Sequence, residues 1–162
     1  MSLQLLHEKG LPYSLYDVYR LLYDRSRILE LKRYEQKLQH KSITLSDIDY
    51  MGGHEFEEFL LLDFLPKLGY RVEQKKKSHD QGLDLLLERK GEKIACQVKR
   101  FQKPVSNKAI QEAISARECY RCQRALVITN STFTTSAKQL AARCNVELWD
   151  RDVLEEKIKR VM

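Results

Sequence analysis

Residues 82–101 read GLDLLLERKGEKIACQVKRF, two apolar runs separated by a charged stretch with a lysine and a glycine at its centre. This pattern predicts a β-hairpin, because short Gly-containing connections between such runs are typical of tight antiparallel turns. If the turn is centred on Lys90 and Gly91, Asp84 lies opposite Gln97, with Cβ atoms about 4.5–5.5 Å apart. Lys99 then lies on the same face, one step beyond Gln97, because side chains alternate between the two faces of a strand.

The predicted hairpin face gathers a carboxylate, an amide oxygen and an ammonium, a set that suits phosphodiester hydrolysis. Mg²⁺ binds oxygen ligands and needs only one or two carboxylates from the protein. A nearby lysine can orient or deprotonate a water and stabilise negative charge on a phosphate. Glu57, on a helix predicted just before the strands, can supply a second carboxylate. The alternative is that Asp84 is a turn residue, and that Gln97 and Lys99 lie on the solvated face of a sheet.

Positive charge is concentrated around this hairpin. The chain carries a net charge of +6, and residues 71–108 contain eleven Lys or Arg and five acidic residues, so this stretch holds the whole excess. Such an excess indicates a polyanionic partner such as nucleic acid, although a solvated basic surface has the same composition. The candidates for phosphate contacts are Lys75, Lys76, Lys77, Arg100 and Lys103. Thr129, Asn130 and Ser131 can also contact phosphate, or can simply form a turn.

The rest of the chain predicts an α/β fold. Residues 14–41 have the spacing of one long helix, and residues 42–53 read as a boundary of caps and turn formers. We therefore expect a helical extension over residues 1–47 and a main domain over residues 48–162. Within that domain the order is helix, three strands, helix, strand, helix, strand, helix, a mixed sheet flanked by helices. The elements are expected at 55–68, 70–74, the hairpin, 106–120, 125–129, 134–145, 146–149, and a last helix capped by Asp150 or Asp152.

The composition excludes several classes of protein. A chain of 162 residues with 43% hydrophobic and 32% charged residues is typical of a globular protein with one core, not of a disordered or fibrous one. The sequence has no apolar run of membrane-spanning length and no secretory signal, so we expect a cytoplasmic protein. The four cysteines are expected to be free thiols, because the pair Cys119 and Cys122 has no second ligand pair of zinc-site spacing.

Several blocks resemble, in order, the Mrr-type restriction endonuclease-like proteins. This family belongs to the nuclease superfamily whose motif is a carboxylate followed by Asp or Glu, any residue, and Lys. The resemblance covers about residues 48–155 and includes IDYMGGHEFEEFL, LGYRVE, HDQGLDLLLE, ACQVKRF, VSNKAIQEAISA, ALVITNSTFTTSAKQLA and VELWDRDVLEE. The Mrr-like branch carries Gln where the second acid stands elsewhere, and Gln97 fits that pattern. The family fold has a central mixed sheet with an α-β-β-β-α-β core.

The resemblance also implies roles for individual residues. Glu57 matches the helical motif glutamate, Asp84 the metal-binding aspartate, Gln97 the motif glutamine and Lys99 the motif lysine. Asp80 matches a less constant family position. By this resemblance the expected function is a metal-dependent DNA endonuclease, in which Glu57, Asp84 and Gln97 bind Mg²⁺, or Mn²⁺ in its place, and Lys99 assists the water.

The resemblance leaves other readings open. A DNA-binding or assembly module of the same fold, with little or no cleavage, is one alternative, and a nuclease for branched or RNA-containing substrates is another. Residues 1–47 are too short and too simply helical for a winged-helix reader of DNA. We therefore expect them to mediate homodimerisation, with sequence recognition absent or supplied by a separate subunit, and we expect no membrane partner.

Overall fold

The computed structural model describes residues 43–74 and 83–161. The helix predicted over residues 14–41 lies outside this part of the chain, as do Lys75, Lys76, Lys77 and Asp80. Within the described residues, no helix is long and apolar enough to cross a membrane.

The predicted hairpin is present with its predicted register. Strand β2 (Leu85–Arg89) pairs antiparallel with β3 (Glu92–Lys99), so that Leu85 lies opposite Cys96 and Arg89 opposite Glu92. Lys90 and Gly91 form the turn with φ of 52° and 81°. Two successive positive φ values define the hairpin turn whose twist matches that of the strands. The register places Asp84, the residue just before β2, beside Gln97.

The hairpin lies inside a five-stranded mixed sheet of order β1-β2-β3-β4-β5. Strand β1 (Arg71–Gln74) pairs antiparallel with β2 at one edge. On the other side of β3, strands β4 (Arg124–Thr129) and β5 (Val146–Trp149) run parallel to it. The predicted α/β class, element order and mixed sheet are confirmed.

Helices flank the sheet, and all but the first of them lie at positions expected from the sequence. The described helices are α1 (Leu45–Tyr50), α2 (Gly53–Phe59), a π-helical segment (Leu60–Phe64), α3 (Leu65–Lys67), α4 (Asn107–Cys119), α5 (Thr135–Cys144) and α6 (Arg151–Val161). The single helix predicted over 55–68 is therefore an α-helical run with a π-helical insertion. Asp150, not Asp152, caps the last helix, because its Oδ1 accepts from the Val153 amide at 3.2 Å.

Helix α1 differs from the sequence prediction. The sequence predicts a boundary of caps and turn formers over residues 42–53, but Thr44 and Asp47 form a reciprocal capping box that starts a helix. The Thr44 amide donates to Asp47 Oδ2 at 2.9 Å, and the Asp47 amide donates to Thr44 Oγ1 at 3.4 Å. Ile48 is completely buried. A satisfied N-terminus together with a buried apolar anchor stabilises this short helix.

Helix α4 covers the sheet face that carries Gln97. Its small residues Ala109 and Ala113 pack in one core cluster with Ala125 and Val127 of β4, and Ala116 packs with Ala95 of β3. Small side chains on both surfaces let the helix approach the sheet closely. As a result Gln97 is only 3% exposed, which rules out the solvated-face reading for this residue.

Candidate active site

Asp84 and Gln97 are in direct contact at the open end of the hairpin. Gln97 Nε2 donates a hydrogen bond to Asp84 Oδ2, and the Val98 amide donates to the same oxygen at 2.8 Å. A carboxylate oxygen that accepts from two donors is fixed in orientation. The hairpin register therefore brings Asp84 and Gln97 together, as the sequence predicts. The Val98 amide is a further donor that the residue pattern does not indicate.

The other side-chain atom of Gln97 lacks a partner. Gln97 Oε1 is buried and accepts no hydrogen bond within the described structure. An unsatisfied buried acceptor costs roughly 1–3 kcal/mol, and such atoms in native proteins commonly face a water or an ion. A hard divalent cation would satisfy this oxygen, and an amide oxygen beside a carboxylate is a donor set that fits Mg²⁺ or Mn²⁺.

Lys99 forms an ion pair with Glu112 of α4. Lys99 Nζ lies 2.7 Å from Glu112 Oε2, and the two side chains are 23% and 25% exposed. Glu112 is absent from the sequence-based set of site residues. The helical spacing could have indicated its position. Glu112 follows Ala109 by three residues and precedes Ala116 by four, which places it on the side of the helix that faces the sheet. The candidate site therefore includes a further acid, Glu112, which holds the lysine.

Glu57 is the buried member of three neighbouring glutamates on α2. It is 9% exposed, and its Oε2 lies 3.8 Å from Nδ1 of His54, one turn earlier. Glu55 has a different task, because its Oε2 accepts from the Gly52 amide at 2.7 Å and so caps the helix. The burial of Glu57 and the separate capping task of Glu55 favour Glu57 over Glu55 as a site residue.

A polar cluster at the carboxyl ends of β3 and β4 centres on Asp49 of α1. Arg151 donates to Asp49 Oδ1 at 2.8 Å and to Oδ2 at 2.7 Å, and Asn130 Nδ2 donates to Oδ1 at 3.1 Å. The Arg151 hydrogen bonds, more than any other cause, hold the pKa of the Asp49 carboxyl below its usual value. The same pair raises the pKa of Arg151. This cluster, which the sequence does not reveal, ties α1 and α6 to the sheet beside Lys99.

The cluster also engages residues predicted to contact phosphate. Arg100 Nη2 donates to the Asp49 backbone carbonyl, while Arg100 Nε is buried and without a hydrogen-bond partner in the described structure. Asn130 is 4% exposed, and its Oδ1 accepts from the Phe101 amide at 2.9 Å. Thr129 Oγ1 accepts from the Ser131 amide at 3.1 Å, as expected for turn chemistry. Of the predicted phosphate contacts within the described residues, Lys103 is exposed.

Cysteine and acidic clusters offer no rival metal site in the described ranges. Within residues 43–74 and 83–161, no three His, Cys, Asp or Glu side chains are grouped so that they could hold a metal ion. The set proposed from the sequence is of a different kind, because it has two carboxylates and an amide. All four cysteines are free, as predicted, and burial raises the pKa of the Cys96 thiol well above its usual value.

Comparison with known proteins gives one family match and several similar structures. The Mrr catalytic-domain model, which describes a restriction endonuclease, matches residues 48–158. No curated protein sequence matches this chain significantly.

Three solved structures resemble the fold at low sequence identity. A protein of unknown function, AF1548, is 20% identical over 58% of this chain and 55% of its own, with a TM-score of 0.48. The MspJI restriction endonuclease, solved in complex with a 27-mer oligonucleotide, is 17% identical over 66% of this chain and 28% of its own, with a TM-score of 0.48. SfsA of Pyrococcus furiosus, solved in complex with Ca²⁺, is 18% identical over 60% of this chain and 55% of its own, with a TM-score of 0.39. The chain thus spans about half the length of two of these proteins and under a third of MspJI.

Proposed function

The chain belongs to the Mrr catalytic-domain family of restriction endonucleases, and on that basis we propose that it is a metal-dependent endonuclease that hydrolyses DNA phosphodiester bonds. The observation that carries the proposal is the Asp84 and Gln97 pair, with the buried amide oxygen of Gln97 left without a partner. A polar arrangement of this kind is unfavourable in an inert sheet. It is useful where a cation and a phosphate bind.

Asp84, Gln97 and Glu57 are the residues that would hold the cation, with Mg²⁺ preferred and Mn²⁺ able to substitute. When bound, a divalent cation neutralises charge on the phosphate and makes water a better nucleophile. Asp84 contributes an anionic oxygen whose orientation is fixed by Gln97 and Val98. Gln97 contributes a neutral oxygen, so this set carries less negative charge than one with a third carboxylate.

Lys99 acts on the phosphate and the attacking water. Its ammonium, held by Glu112 at 2.7 Å, keeps further N–H donors for a phosphate oxygen or for the water. Positive charge aimed at the phosphate stabilises the charge that develops in the transition state. Glu112 serves as a positioning residue, because it touches Lys99 and not the reacting atoms.

DNA is the substrate that the charge distribution favours. The basic excess of residues 71–108 surrounds the hairpin, and Lys75, Lys76, Lys77 and Lys103 are its proposed phosphate contacts. Arg100 is retained as a candidate contact, although its guanidinium also binds the Asp49 carbonyl. Contacts to phosphate release counterions, so DNA affinity should fall steeply as salt rises.

Three further points stay predictions. They are a domain boundary between residues 47 and 48, a homodimer formed through residues 1–47 with sequence recognition absent or supplied by a separate subunit, and a cytoplasmic location. Sedimentation of the full chain at working concentration tests the dimer, and a monomer would contradict it.

The test of the proposed function is cleavage of plain, methylated, branched and single-stranded DNAs in Mg²⁺, Mn²⁺ or EDTA. We expect metal-dependent product from the parent protein, and loss of product in Asp84→Ala and Lys99→Ala with folding and DNA affinity kept. DNA binding without cutting on every substrate would contradict the nuclease and indicate a binding module of the same fold.

A further inference from the structure

Two exposed aromatic residues lie at the same end of the sheet as the candidate active site. In the part of the chain that the structure describes, the large apolar side chains that are exposed are Tyr50 at 90%, Leu62 at 59% and Phe101 at 47%. Tyr50 ends α1, and Phe101 follows Lys99 by two residues just beyond β3. Leu62 belongs to the π-helical segment. Single exposed apolar residues are common, so the position of the two aromatics carries the argument.

One hydrogen-bonded cluster fixes the backbone next to both aromatics. Arg100 donates to the carbonyl of Asp49, the residue before Tyr50. The Phe101 amide donates to Asn130 Oδ1 at 2.9 Å, and Asn130 Nδ2 donates to Asp49 Oδ1 at 3.1 Å. The cluster therefore holds Tyr50 and Phe101 at the same end of the sheet as Lys99. Because their backbones are already ordered, little backbone entropy remains to be lost when a ligand contacts the rings.

The surroundings indicate a nucleobase and not an apolar protein surface. Protein docking sites expose contiguous apolar patches of several hundred Å². Here the aromatics are interspersed with charged and polar groups, and Phe101 lies between Arg100 and the exposed Lys103. Aromatic rings next to basic residues are the usual combination for binding unstacked nucleic acid, in which bases stack on the rings and cations contact the backbone.

We propose that Tyr50 and Phe101 form a stacking platform for unpaired nucleobases next to the scissile phosphate. Bases inside a continuous duplex are already stacked on both sides and cannot reach such rings without being extruded. The preferred substrate is therefore DNA with unpaired bases close to the cleavage position, as in single strands, flaps and branch points. This inference rests on the proposed function for the choice of ligand, but its binding step needs no cleavage.

The test measures binding in EDTA, so that cleavage plays no part. Fluorescent oligonucleotides carry 2-aminopurine either in an unpaired flap or inside a blunt duplex, and affinity and quenching are recorded for each. Parent protein is compared with Tyr50→Ala and Phe101→Ala, with Tyr50→Phe and Phe101→Tyr as conservative variants, and with Leu62→Ala as a matched exposed control. Thermal unfolding of each variant verifies folding, which all three exposed positions should tolerate.

We expect each alanine at Tyr50 or Phe101 to weaken flap binding about 5- to 150-fold, as alanine substitution does at stacked bases. Duplex affinity should change less than about twofold, since phosphate contacts supply it. The aromatic variants and Leu62→Ala should bind like the parent, and quenching of the unpaired base should disappear only in the alanine variants. Equal losses on flap and duplex, or no loss on either, would overturn the platform.

Failure of this inference can be told from failure of the nuclease proposal. A parent protein that cuts DNA with metal but shows no preference for unpaired bases refutes the platform and leaves the nuclease intact. A parent protein that binds flaps through the aromatics but cuts nothing refutes the nuclease and leaves the platform intact.

Discussion

Glu112 provides a sharp test of how the lysine is held. Glu112→Gln keeps the size of the side chain and leaves an oxygen that can accept from Lys99, but it removes the negative charge. Both partners are mostly shielded, at 23% and 25% exposure, and their charged atoms lie 2.7 Å apart. Exposed ion pairs contribute about 0.2–1 kcal/mol, and this partly shielded pair belongs at the upper end of that range, so the substitution should remove about 1 kcal/mol. If Lys99 must be held for catalysis, this corresponds to a rate about fivefold lower.

The assay is single-turnover cleavage at saturating DNA, with DNA affinity measured separately. Glu112→Gln should lower the rate constant and leave the dissociation constant for DNA unchanged, because Glu112 positions Lys99 and does not bind substrate. Glu112→Ala should be slower still, more than about fivefold below the parent, because it removes the side chain as well as its charge. Glu118→Gln is the matched control on the same helix, since Glu118 is 72% exposed and pairs with Arg117. Parent rates for both Glu112 variants in folded protein would refute the positioning role.

Three further predictions concern stability and reactivity. Hydrogen bonds from Arg151 lower the pKa of Asp49 in the folded protein. The pair therefore stabilises the fold fully at pH values above the ordinary pKa of 3.8, and this contribution is lost as the pH falls through the lower pKa of the folded state. Asp49→Asn should therefore flatten the fall in the free energy of unfolding below about pH 4, and an unchanged slope in urea titrations would contradict this. Burial raises the pKa of Cys96, so a thiol reagent near neutral pH should label exposed Cys119 first and Cys96 only after unfolding, as peptide mass spectrometry can verify. Lys90→Asn should stabilise the protein by about 0.5–1 kcal/mol, because Asn tolerates positive φ better than Lys, and a lower melting temperature would oppose it.

The hairpin could be predicted because its determinants are local. Turn residues and an alternation of period two fix the register, and the register alone places Asp84 beside Gln97. The burial of Gln97 could not be predicted in the same way, since it comes from α4 packing through small residues that follow the strand in sequence. The reading of a solvated face fails for that reason.

Long-range partners account for most of what the sequence does not reveal. The Asp49 and Arg151 pair joins residues 102 positions apart, and the Phe101 amide reaches Asn130 across 29 positions. The sequence around each of these residues does not distinguish their side chains from ordinary surface residues. Helix α1 had a local signal in Thr44 and Asp47, but the Ser and Gly residues around it are also typical of a linker. The π-helical segment has no such signal, because Leu60–Phe64 reads as ordinary apolar helix.

The central claim is that the Asp84 end of the hairpin is the hydrolytic site of a metal-dependent DNA nuclease. The most direct measurement is the cleavage rate of parent protein and Asp84→Asn on the same DNA at saturating protein, with Mg²⁺ and with EDTA. Asp84→Asn keeps the shape of the side chain and removes the charge that a cation requires. The account predicts product from the parent with Mg²⁺ only, and at least about a hundredfold less from Asp84→Asn at equal DNA affinity. Equal cleavage by the two proteins, or undiminished cleavage in EDTA, would contradict it.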